Sequence, residues 1–115
     1  MIAAVLGLAA LMTSSSVPSR LRCFDDGVAV RASVRAQIAS AVRRCTRFPV
    51  VRLEEVDPKE HAPAGTIAAL TVVQGECGNA TGDRFWVHRG VRGWRVLKKV
   101  GGWGVSSASS TGIVH

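Results

Sequence analysis

A chain of 115 residues is one domain's worth of protein and leaves no space for a second. Fifteen Lys and Arg against eight Asp and Glu give a formal charge of +7, and twelve of the fifteen cations are Arg, a balance that favours anionic partners. No apolar run reaches the ~20 residues that a membrane-spanning helix needs, so no such helix is expected.

In chain order, Met1 to Met12 (MIAAVLGLAALM) reads as the apolar core of a secretory signal, and Thr13-Ser14-Ser15-Ser16 supplies small residues for cleavage near Ser16. No Lys or Arg precedes the run and no Ala-x-Ala follows it. The competing readings are therefore a buried first element or a short membrane anchor. Residues 1–16 are assigned to the signal, 17–104 to one domain and 105–115 to a Ser-rich tail. The Arg20-Leu21-Arg22 sequence before Cys23 excludes lipidation there, which requires a small residue before the cysteine.

Residues 17–26 form a polar lead-in, with Asp25 or Asp26 placed to cap a helix. Val30, Val34, Ile38, Ala41, Val42 and Cys45 recur at spacings of three and four, which predicts a helix over about 28–45. Pro49 ends it. Strands are expected over 49–56 and 66–74, separated by a loop at 57–65. Gly75 to Asp83 reads as a turn. Strands over 84–89 and 94–100 follow, joined by Gly90-Val91-Arg92-Gly93, and Gly101 to Gly104 should end the last one. The result is an α+β domain, one long helix packed on a four-stranded antiparallel sheet. That plan resembles the cystatin-like and NTF2-like families in architecture.

Three cysteines leave one unpaired if one bridge forms. If the second strand returns to the helix end, Cys45 and Cys77 meet, whereas Cys23 lies at the far side of an ~25 Å helix. The expected disulfide is therefore Cys45–Cys77, with Cys23–Cys45 as the alternative.

His61, His88, His115 and the cysteines are too scattered for a zinc site, and no GxSxG marks a nucleophile. Cys77 beside Glu76 is a poor nucleophile, because a neighbouring negative charge disfavours the thiolate. Glu54, Glu55, Asp57 and Glu60 are the one acidic cluster; they read as a polar edge that partly neutralises Arg52 and Lys59 rather than as hydrolytic carboxylates. Asn79-Ala80-Thr81 matches a glycosylation sequon. No cofactor is expected.

From Gly78 onward there are six cations, Arg84, Arg89, Arg92, Arg95, Lys98 and Lys99, against one anion, Asp83. Phe85, Trp86, Trp94 and Trp103 interleave them, a mixture suited to pairing and stacking with an anionic polymer. Alternation instead directs Phe85, Val87, Trp94 and Val96 to the helix and leaves Trp86, Arg95 and Lys99 as a solvated face. The sequence Arg84-Phe85-Trp86-Val87-His88-Arg89, a Gly turn and Trp94-Arg95-Val96-Leu97 resembles the close of short exported proteins of unknown function from high-GC bacteria. That resemblance implies export and no activity. The expected function is a non-catalytic exported domain whose basic hairpin meets an anionic polymer, a lipid head group or an acidic protein. Nucleic acid becomes the partner if the chain is cytoplasmic, and a small hydrolase or ligand-pocket protein of cystatin or NTF2 shape is the other alternative.

Overall fold

Val28 opens the expected helical range and Val30 belongs to its stripe, yet both precede the helix. In the structure, a computed structural model that describes residues 17–25 and 27–106, helix α1 spans Ala32–Arg43. The expected signal, Asp26 and most of the expected tail lie outside the described residues. Gly27 bridges Leu53 in parallel fashion and the Val28 amide donates to the Leu53 carbonyl at 2.8 Å, so this stretch lies beside the first strand and delays the helix. Asp25 accepts from the Gly27 amide at 2.9 Å, forming a local turn rather than the expected helix cap. The N-cap of α1 is Arg31, which offers no side-chain cap.

Five strands follow: β1 (Val50–Glu55), β2 (Thr66–Thr71), β3 (Gln74–Glu76), β4 (Asn79–Gly90) and β5 (Gly93–Val105). All pair antiparallel, in the order β1-β2-β4-β5, with β3 also on β4. The expected count of four fails because the second strand breaks at Val72 and Val73 into β2 and β3. The expected turn at 75–83 is largely paired: only Cys77 and Gly78 turn, and β4 starts at Asn79. Its glycines serve close approach as well as turning. At Gly82 a Cβ would sit 1.6 Å from the Thr71 carbonyl oxygen. Nor do Gly101 to Gly104 end the last strand. Gly101, at φ 118°, lies where the β4–β5 register shifts, and β5 continues to Val105.

Alternate residues of these strands feed two apolar layers. On one face Ile38 and Val42 of α1 pack with Leu53, Ala69, Phe85 and Val87, flanked by Trp94 and Val96, as the alternation predicts. The other face is apolar too: Val51, Ala68, Leu70, Val72, Trp86 and Trp103 cluster with Leu21 and, at the margin, Val17 and Phe24. The lead-in therefore covers the sheet face opposite α1. Phe24 meets Trp103 edge to face at 5.5 Å between ring centres. Trp86, expected outward on a solvated face, is 8% exposed.

That second layer corrects the disulfide. Cys77 bonds Cys23, not Cys45, with the Cα atoms 5.8 Å apart. Because residues 17–25 run beneath the sheet instead of trailing from the start of a long helix, Cys23 reaches the β3–β4 turn, where the Cys77 amide donates to the Arg20 carbonyl at 3.3 Å. Cys45 is an exposed free thiol just past α1.

Candidate anion-binding hairpin

Strands β4 and β5 form one long hairpin. Its turn is Val91-Arg92, closed by the Gly90–Gly93 pair, and Gly93 follows at a positive φ of 113°, which glycine adopts without a Cβ clash. Val91 is fully exposed at the tip.

The six cations of this region do not act as one group. Arg84 is 7% exposed, and its Nη1 donates to Glu60 Oε1 at 3.1 Å while Nε has no hydrogen-bond partner among the described residues. It pins the 57–65 loop to the sheet, helped by a 2.9 Å hydrogen bond between His88 Nε2 and the Ala64 carbonyl. Arg84 is thus withdrawn from the expected anion-binding set. Lys99 approaches Asp83 at 3.5 Å and is partly neutralised. Arg89, Arg92, Arg95 and Lys98 are exposed, and none of them pairs with a carboxylate among the described residues.

Their placement follows from register. Arg89 stands opposite Trp94 on the α1 face, Arg95 opposite His88 and Lys98 opposite Trp86 on the other, and Arg92 at the tip. Lys98 Nζ lies 4.8 Å from the Trp86 ring centre, covering it from solvent. From Arg92 in the turn along β5 to Lys98 is roughly 20 Å at ~3.3 Å per residue. The charges therefore surround the tip-side half of the hairpin, whose outer strand β5 pairs with β4 alone among the described strands. The aromatics are not a stacking platform: Phe85, Trp86 and Trp103 are buried and Trp94 is half-buried.

Asp25, Glu54 and Glu55 gather at the opposite edge. Arg52 on β1 holds both Asp25 and Glu54, the latter at 3.1 Å, as the expected neutralisation of that cluster requires. Asp57 accepts from the Lys59 amide at 2.8 Å and caps a short 3-10 turn at Pro58–Glu60. Since β1 and β5 are the outer strands, the sheet carries negative charge at one edge and positive charge at the other.

Sequence reasoning misses a second basic region. Residues 29–53 contain six arginines, at 31, 35, 43, 44, 47 and 52, and no Asp or Glu. Four of them, Arg31, Arg43, Arg44 and Arg47, are exposed. The signal that marks the region is its lack of acids rather than any motif.

Among the described residues no group of three or more His, Cys, Asp or Glu could hold a metal ion, and no helix is long and apolar enough to cross a membrane. The chain matches no family model, no curated protein and no solved structure.

Proposed function

We propose that this is a non-catalytic binding domain that works outside the cytoplasm and holds a linear anionic polymer along β5. The observation that carries the reading is the group of four exposed cations without a carboxylate partner among the described residues, Arg89 at the end of β4, Arg92 in the turn, and Arg95 and Lys98 on β5, the last three covering roughly 20 Å of the hairpin. Spaced point charges suit a repeating anion, since each contact releases a counterion and the contacts sum along the polymer. Burial of the tryptophans argues against single-stranded nucleic acid, whose binding relies on exposed rings.

Export is supported by the Cys23–Cys77 disulfide, because such bonds persist in oxidising compartments. N-terminal sequencing of the protein from fractionated culture tests it, with a start close to Val17 expected. A ligand pocket of the cystatin or NTF2 kind, between helix and sheet, is disfavoured by Ile38, Val42, Leu53, Phe85 and Val87, which fill that space at 0–4% exposure.

Retention on immobilised heparin tests the site. Changing Arg89, Arg92, Arg95 and Lys98 together to Gln should release the protein at markedly lower salt. Arg84→Gln should leave elution nearly unchanged. If the fourfold variant elutes with the native protein, the hairpin is not the binding surface.

A further inference from the structure

The corner where α1 gives way to β1 encloses a cavity of about 230 Å³. Its walls are apolar in part, from Pro18, Ala39, Phe48, Pro49 and Val50, and Arg43 and Arg47 complete them. The Arg47 guanidinium carbon lies 5.1 Å from the Phe48 ring centre. No ion pair joins Arg43 or Arg47 to an acidic side chain among the described residues, and the lining itself contains none.

Two like charges bordering one small cavity repel each other, and an anion reached by both turns that repulsion into two attractions. Arg43 also suits the negative C-terminal end of α1, where it occupies the last turn. Arg47 lies past the helix end and gains little from that field. The apolar walls, meanwhile, favour a ligand with more than a charge to offer. The volume falls below the ~300 Å³ at which pockets for drug-sized ligands begin, which limits the apolar part to one ring or a short chain.

We propose that this cavity binds a small carboxylate, its oxygens held by Arg43 and Arg47 and its apolar body lying on Phe48 and Val50. The site is separate from the hairpin. Val50 pairs with Thr71 at one end of the sheet, whereas the β4–β5 turn lies beyond the other, where Glu55, Ile67, Val87 and Val96 align.

The test is a titration of the full chain with sodium benzoate, followed by amide NMR shifts at constant ionic strength, with benzyl alcohol and sodium sulfate as comparison probes. Benzoate should give saturable shifts confined to residues around 18, 39 and 43–50 while the signals of 89–98 stay still. Arg43→Gln and Arg47→Gln, both at exposed positions, should each weaken binding about tenfold, the scale of one charged hydrogen bond. Equal affinity for benzyl alcohol would overturn the role of the arginines, and equal affinity for sulfate that of the apolar walls. Unsaturable or scattered benzoate shifts would overturn the site as a whole. Loss of this site with heparin retention intact leaves the hairpin reading standing, and the reverse result leaves the cavity standing.

Discussion

Trp103 donates from its indole nitrogen to the Thr71 carbonyl at 2.8 Å, inside the layer that the lead-in covers. Trp103→Phe retains most of the ring area but strands that carbonyl, so a loss of about 1–3 kcal/mol is expected in urea unfolding. Gly82 is tied to the same spot. Any side chain there enters the Thr71 carbonyl, and Gly82→Ala should cost about 3 kcal/mol as the strands are forced apart. Neither role is visible locally: Gly82 sits in a glycine-rich stretch that reads as a turn, and Trp103 among glycines that read as a strand end. Both depend on Thr71, which lies eleven residues before Gly82 and 32 before Trp103. Arg84 shows the same limit for charge. A count along the sequence groups it with the exposed cations, but its partner Glu60 lies 24 residues upstream, and only the fold brings them together.

Among the elements, α1 is notable for what its ends lack. Its first turn has no acidic residue and its N-cap is Arg31, a cation at the positive end of the helix dipole. Packing of Ile38, Ala41 and Val42 must hold the helix instead. Arg31→Asp should therefore stabilise the protein by about 1 kcal/mol, read as a raised thermal midpoint. The lead-in depends on its bridge. Cys23 and Cys77 close a separation of 54 residues, worth about 4 kcal/mol in the chain-entropy account, and replacing both by Ser should lower stability by that order. Thiol titration of the oxidised, denatured chain should find one free group, Cys45; three would refute the bridge. The helix-facing side of the sheet is legible in the sequence because Phe85, Val87, Trp94 and Val96 recur at every second position of their strands. The opposite side is not, because no periodic pattern in residues 17–25 (VPSRLRCFD) marks them as the cover of a sheet.

At the scale of the whole molecule, the α+β plan and the basic hairpin can be read from pattern and composition, whereas the separation of charge into opposite sheet edges requires the strand order. With β1 and β5 outermost, the acidic groups at Glu54 and Glu55 stand three strands from Arg95 and Lys98, roughly 14 Å at ~4.8 Å per strand. That distance exceeds the Debye length of ~8 Å at physiological salt, so the basic edge keeps its own field instead of being cancelled by the acidic one. A polyanion should therefore meet β5 and turn the acidic edge away. The most direct test is the salt dependence of heparin affinity, comparing the native chain with the fourfold Gln variant at Arg89, Arg92, Arg95 and Lys98 and with a threefold Gln variant at Arg43, Arg44 and Arg47. The hairpin account predicts that the slope of log affinity against log salt falls by about three in the fourfold variant, at roughly 0.7–0.9 for each cation removed, and changes little in the threefold one. A slope that the hairpin changes leave intact, or that only the helix-end changes reduce, would contradict it.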